Sequence, residues 1–327
     1  KTFEAVAAMH EARRLGRATK PMAVVPNHLT GQFASEWLRM YPDAKLLVMD
    51  DSDTRSPEAA QRFWGRARAG EWDAVIVGHS RFSKLALSPE IQERATQARL
   101  DELKDSIEAG RKSEGRQSFT VKAQEGLRKR LERQLRDLQA RKGADELGIS
   151  FDELGVDMLV VDESHFFKNL AIAGSQVAGM SVQGSGKCED LLYKCDWLRQ
   201  QGKGRNIVFM TGTPVTNTMG ELYNLQRYLA PDSLRTTGTS NFTDWALTYG
   251  HLEETMEVRP EGGGFQSRMR FTKFQNLPEL MVAYHGFADI VTQDMVDLDL
   301  PELAKRSIVV DAAPEQQRAM DLLVERA

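Results

Sequence analysis

Five short runs rich in Val, Ile and Leu recur along this chain, and none of them alternates apolar with polar residues. They are Met22–Val25, residues 44–50, residues 73–78, Met158–Val161 and residues 206–210. A strand with one wet face alternates; a strand covered on both faces does not. Between the runs lie segments with helical periodicity. "GQFASEWLRMY" places Phe33, Trp37 and Leu38 on one side, "PEAAQRFWGRARAG" ends in Gly70, and "MGELYNLQRYLA" follows the last run. Strand and helix patterns in alternation predict an α/β fold with a central parallel sheet flanked by helices. The chain opens directly on an amphipathic pattern, Phe3, Val6, Ala7, Met9 and Leu15, and closes inside another, "PEQQRAMDLLVERA". Both ends read as cuts within helices, so a fragment of a larger protein is expected.

One stretch breaks the rhythm. Residues 89–142 are dense in Glu, Arg, Lys and Gln, with Leu100, Leu103 and Ile107 and then Leu127, Leu131, Leu135 and Leu138 at helical spacing. The break "AGRKSEGRQS" divides them, which predicts an antiparallel helical hairpin projecting from the sheet. Its basic second arm, "RKRLERQLRDLQARK", is a candidate contact for nucleic acid or a partner; a solvated coiled-coil face explains the same residues. Over the 327 residues the net charge is −4, so there is no global bias toward nucleic acid, although a local basic groove is compatible with that figure. Cys188 and Cys195, seven apart in one helical segment, cannot form a useful staple and have no zinc-type neighbours, which fits reduced thiols and a cytoplasmic protein. No apolar run approaches the ~20 residues that span a bilayer, and no signal peptide is visible.

The chemistry gathers where the runs end. "DMLVVDESH" closes a buried strand with Asp162, Glu163, Ser164 and His165. At the carboxyl edge of a parallel sheet, the first carboxylate of such a pair suits a Mg²⁺ ion. The second can orient or deprotonate an attacking water. The same residues also suit a helix N-terminus, where acids and hydroxyls cap free N–H groups. Lys1 and Thr2, heading a helix, are what the end of a Gly-Lys-Thr phosphate loop leaves behind. "QGSGKCEDLL" is a weaker match. It has Gly184, Gly186 and Lys187, but the first glycine of the spacing is missing, Cys188 replaces Ser/Thr, and no strand pattern precedes it. Pro26, Asn27 and His28 follow the first run, and His79, Ser80 and Arg81 follow the third; both histidines are equally readable as satisfied loop residues. "TGTP" follows the fifth. The spacing predicts Lys1, Asp162 and Thr211 at one edge of the sheet. "RPEGGGF" reads as a surface turn.

Taken in order, "KT", "AVVPNHLTGQFASEW", "DAVIVGHSRFSKL", "VVDESH", "MTGTPVTNTMGELYNLQRYL" and "LPELAKRSIVVDAAPEQQRAM" resemble motifs I, Ia, the next strand-end motif, II and III, and the connector of superfamily 2 helicase-type ATPases. The chain looks like their first RecA-like lobe, nearest the Swi/Snf-type translocases. "VPNHL", "FKNL" and the "TGTP" segment are similar to helicase segments of phage and plasmid methyltransferase-helicase proteins of the antirestriction type. Two departures stand out: the glycines of motif I are absent, and Ser164 replaces the usual Ala.

The resemblance implies ATP and Mg²⁺ as cofactors. It gives Lys1 and Thr2 to ATP, Thr2 and Asp162 to the metal, and Asp162, Glu163 and His165 to catalysis. Thr211, Gly212 and Thr213 would couple the nucleotide to the track, and Pro26, Asn27, Ser80 and Arg81 would touch nucleic acid. It further implies a lobe over residues 1–235 with the hairpin inserted, a helical or irregular connector over 236–327, a second lobe elsewhere in the polypeptide, and possible linkage to a methyltransferase domain. The expected track is duplex DNA rather than RNA, with no membrane partner and a cytoplasmic setting in a bacterial, phage or plasmid context. A catalytically idle interaction module built on the same lobe is the alternative.

Overall fold

The computed structural model describes residues 1–113, 119–141, 148–172, 184–216, 218–258, 265–292, 295–296 and 304–326. The chain divides into two compact units, Lys1–Trp245 and Ala246–Ala327. In the first unit α1 (Thr2–Arg14) leads into β1 (Pro21–Val25), α2 (Thr30–Met40), β2 (Leu46–Val48), α3 (Pro57–Ala69), β3 (Ala74–Gly78) and the single turn α4 (His79–Phe82). Two long helices, α5 (Pro89–Ser113) and α6 (Phe119–Arg141), come next. Then follow β4 (Met158–Val161), α7 (Gly186–Gln200), β5 (Ile207–Phe209), α8 (Gly220–Leu229) and α9 (Pro231–Thr236), with α10 (Phe242–Tyr249) running across the division between the units.

All five strand runs pair in parallel, in the order β2-β3-β1-β4-β5. The unbroken apolar runs are explained by the two faces of this sheet. Successive side chains point to opposite sides. Met22, Val24, Val75, Val77, Leu159 and Val161 therefore face one core with Phe63 and Trp64 of α3 and Leu191 and Leu198 of α7. Ala23, Val25, Ala74, Ile76, Met158 and Val160 face the other, against Val6 and Met9 of α1 and Phe33 and Trp37 of α2. This is an α/β lobe of the RecA-like type.

Several expectations need correction at the helix faces. Phe3 and Leu15 of the opening segment and Leu38 of α2 are exposed; the buried faces are Ala5, Val6 and Met9, and Phe33, Ala34 and Trp37. The sheet presents only a narrow strip to each helix, so residues one step round the helix stay wet. The hairpin forms as expected, with Leu100, Leu103, Ile107, Leu127 and Leu131 in one cluster and Leu135 packed against it. It does not simply project. Ala171 joins that cluster, and Arg130 of α6 lies 3.6 Å from Glu189 of α7.

The first unit runs ten residues past the expected boundary at 235. Phe242 and Trp245 pack against Tyr223, and Trp245 Nε1 donates to Gln226 Oε1 at 2.7 Å. The second unit, expected to be helical or irregular, holds an antiparallel ribbon of β6 (Gly250–Val258) and β7 (Phe265–Phe274), then α11 (Leu277–His285) and α12 (Pro314–Arg326). Period-2 spacing of Leu252, Met256 and Val258 was the available signal, interrupted by Glu254. Most of the expected "RPEGGGF" turn lies outside the described residues. Among the described residues no helix is long and apolar enough to cross a membrane.

Both cysteines lie buried in α7 as free thiols, and burial pushes the Cys195 thiol up to about 12. The same helix carries a fully buried cation. Lys194 Nζ sits 2.5 Å from Asp190, donates to the Phe82 carbonyl at 3.0 Å and lies 4.0 Å from the Phe82 ring centroid. Removing one partner of such a pair strands the other charge, which costs about 3–5 kcal/mol, whereas a well-packed apolar replacement can be neutral. Asp190→Asn should therefore lower the urea unfolding free energy by that amount, whereas replacing both partners together, Asp190→Leu with Lys194→Met, should cost far less; equal losses would show that no stranded charge is involved.

Candidate functional site

Parallel pairing of β1, β4 and β5 brings three strand ends to one edge of the sheet. Asp162 continues β4 and is still held in the sheet, its N–H donating to the Val24 carbonyl at 2.8 Å. Glu163 then adopts a left-handed backbone, φ 46° and ψ 49°, a conformation that costs a non-glycine residue roughly 1–2 kcal/mol. The turn is stapled on both sides. The Glu163 N–H donates to Asp162 Oδ1 at 2.9 Å, and the Ser164 N–H reaches across to the Met210 carbonyl of the neighbouring strand end at 2.9 Å. Backbone strain of this kind concentrates where a side chain has to be aimed.

What Glu163 aims at is Lys1. The Lys1 ammonium, at the head of α1, lies 2.6 Å from Glu163 Oε1, and this contact holds the Glu163 carboxyl below its ordinary range. The other carboxylate oxygen accepts from His165 Nδ1 at 3.2 Å, and the same nitrogen lies 3.3 Å from Thr211 Oγ1. Thr211 Oγ1 also accepts the Thr213 N–H at 3.1 Å, and a methyl group added at Gly212 would stand 3.9 Å from Lys1 Nζ. Lys1, Glu163, His165 and the Thr211–Thr213 turn are thus one connected group, at the edge to which the spacing assigned Lys1, Asp162 and Thr211. Asp162 is 7% exposed, and Oδ2 of its carboxylate has no partner among the described residues. Thr2 begins α1 and is placed beside this group as the neighbour of Lys1.

A second group stands at the ends of β1 and β3. Asn27 Oδ1 accepts from both the N–H and the hydroxyl of Ser80, at 3.1 and 3.0 Å. Gly78 permits this closeness, since a Cβ there would stand 2.4 Å from Asn27 Oδ1. Arg81 donates to the Thr54 carbonyl at 2.8 Å. Asn27, Ser80 and Arg81 line a cavity of about 450 Å³, which Asp50 and Asp51 also line. Pro26 is buried and ends β1, so it shapes the edge without presenting a side chain to it.

His79 joins the two groups, although its sequence position suited a satisfied loop residue equally well. Its Nε2–H donates to the Asp162 main-chain carbonyl at 2.8 Å, and its ring meets Phe166 and Phe167 edge-on at 5.4 and 5.2 Å. Burial pushes its pKa below the ordinary value, so at neutral pH it is an uncharged donor. Phe166 in turn lies 4.5 Å from the His165 ring. A further support is invisible in the sequence. Lys168 Nζ pairs with Glu221 of α8 at 3.0 Å, and the other Glu221 oxygen accepts the Thr216 N–H at 2.7 Å, tying the segment after motif II to the end of the "TGTP" loop. Pairing over 53 positions leaves no trace in spacing (221 − 168).

Residues 1–292 match the family model described as "Probable helicase domain". The chain belongs to that family. It is also 25% identical, over 263 residues, to the "Defense against restriction protein B" of Escherichia phage P1. That stretch covers 78% of this chain and 11% of the phage protein, so the chain spans only a small part of its relative. For this helicase-family chain the Lys1–Glu163 contact gives a direct test. Lys1→Met should move the titration of the Glu163 carboxyl to higher pH, followed by carboxyl-carbon NMR; an unmoved titration would show that the pair does not form in solution.

Proposed function

We propose that this chain is the ATP-binding lobe of a nucleic-acid-dependent ATPase that moves along duplex DNA. The observation that carries this reading is the connected group Lys1–Glu163–His165–Thr211 at the carboxyl edge of the sheet. A cation, a strained carboxylate and a hydroxyl-bearing turn converge there, each from a different element. Phosphoryl transfer asks for such positioning and charge placement more than for covalent chemistry.

The residues present fit Mg·ATP. Asp162 offers an unpartnered carboxylate oxygen and Thr2 a hydroxyl, and a small oxygen donor set suits Mg²⁺, which keeps waters and phosphate oxygens as its other ligands. The bound nucleotide would supply the phosphoanhydride to be cleaved. Lys1 would turn from Glu163 toward the β/γ-phosphates, and that move frees the Glu163 carboxylate to orient water and accept its proton. His165 keeps the freed carboxylate in place and passes its position to Thr211. At the far end of the edge, Asn27, Ser80 and Arg81, with Pro26 shaping the turn, would take backbone phosphates. Such contacts position a protein without reading sequence. His79 bridges the two through the Asp162 carbonyl and Phe166. Duplex DNA is favoured as the track because the ordered motifs most resemble those of Swi/Snf-type translocases. We further propose that a second lobe completes the motor, and that a methyltransferase domain belongs to the same assembly.

In the whole protein, Glu163→Gln should bind ATP at near wild-type affinity and hydrolyse it about 10²–10⁴-fold more slowly, the usual contribution of a positioned base. Turnover near the wild-type rate would remove Glu163 from this role. His79→Ala should lower the stimulation by DNA more than the rate without DNA, measured as the ratio of steady-state ATPase with and without a duplex. An unchanged ratio would show that His79 transmits nothing.

A further inference from the structure

The outer face of the helical hairpin is unused by the site above, and its charges are arranged unevenly. On α6 the inward side is apolar: Leu127 and Leu131 are buried against α5, with Leu135 beside them. Several neighbouring cations are engaged. Arg128 pairs with Glu132, Arg111 of α5 pairs with Glu125, and Arg130 turns toward Glu189 of α7. Lys129, Arg133 and Arg136 are different. All three are exposed, and none has an ion-pair partner among the described residues.

Their spacing puts them in one row. At about 100° per residue, positions 129, 133 and 136 fall within roughly 60° of one another, on the side of the helix opposite Leu127 and Leu131. The row climbs the helix in steps of about 6 and 4.5 Å, some 10.5 Å in all. Asp137 stands at one margin; Glu125 and Glu132, at the other, are already engaged by Arg111 and Arg128. A protein partner normally needs a buried aromatic or aliphatic anchor. None is available, because among the described residues α6 exposes no large hydrophobic side chain. A polyanion with closely spaced charges needs only the cations. A nucleic-acid duplex presents one negative charge per ≈1.7 Å of its axis, so a row of about 10.5 Å meets several phosphates at once.

We propose that Lys129, Arg133 and Arg136 form a second contact for the phosphate backbone of duplex DNA, separate from the strand-end edge. The inference rests on the DNA-motor reading in one respect: it takes duplex DNA to be the polyanion this protein meets. The row holds the backbone without reading bases, adding affinity and salt sensitivity while the edge at Asn27 and Ser80 senses the nucleotide state.

The test uses the whole protein and a fluorescent duplex of about 30 base pairs, with anisotropy titrations without nucleotide from about 50 to 200 mM salt, the range over which phosphate binding weakens steeply. The triple variant Lys129→Gln, Arg133→Gln, Arg136→Gln changes only exposed positions, and Gln keeps the helix propensity. Each phosphate no longer neutralised should lower the slope of log K against log salt by about 0.9, so the variant should be shallower by about 2.7 and bind more weakly at the lowest salt. A variant with the wild-type slope and affinity overturns this inference and leaves the motor reading standing; that is also the outcome if the row seats an acidic protein. A wild-type protein that fails to bind the duplex at the lowest salt overturns both.

Discussion

Parallel pairing of β1, β4 and β5 is the constraint on which the rest of this structure depends. Because the three strands run the same way, their carboxyl ends arrive together, and whatever residue follows each strand is delivered to a common edge. Asp162, Thr211 and Asn27 are far apart in sequence and reach the same edge for that reason. The backbone bonds from Asp162 to Val24 and from Ser164 to Met210 extend the pairing up to three residues past β4. The edge is therefore tied into the sheet through its backbone.

On that rigid edge the charges are balanced by close pairing. Lys1 and Glu163 neutralise one another, His165 occupies the second carboxylate oxygen, and Lys168 with Glu221 repeats the device behind the loop. An ion pair across a partly exposed edge is worth little to stability. Under the ATPase function proposed above, it is an arrangement that an arriving polyanion can rearrange, since a lysine released from a carboxylate is ready for phosphate. Under the same proposal the left-handed Glu163 backbone, φ 46°, serves to aim the carboxylate.

The helical hairpin shows how an insertion can be anchored without disturbing the sheet. It leaves after β3 and returns before β4, and the Phe151 N–H closes its base on the Ala86 carbonyl at 2.8 Å. Its leucines and isoleucine satisfy each other, Ala171 joins them, and Arg130 reaches Glu189. Its charged outer surface is therefore free to vary for function at little cost to the core.

Strand positions, the parallel sheet, the hairpin and the clustering of motifs at strand ends were legible from residue pattern, because burial on two faces and helical periodicity are local signals. Lys1, Glu163, His165 and Thr211 were legible as candidates because each closes or opens a patterned segment. Three things were not. The exposure of Phe3, Leu15 and Leu38 depends on how narrow a strip the sheet offers each helix. The β6–β7 ribbon is masked by Glu254 in its apolar alternation, and its pairing joins residues up to 24 apart (Gly250 to Phe274). The roles of His79 and Glu221 exist only once a carbonyl or an ammonium from a distant segment lies within hydrogen-bond reach. Sequence by itself determined which segments are buried and where their chemistry sits along the chain, since hydrophobic patterning acts over a few residues. Tertiary structure alone decided which of those residues touch, since that follows from strand order and crossover, which no local pattern encodes.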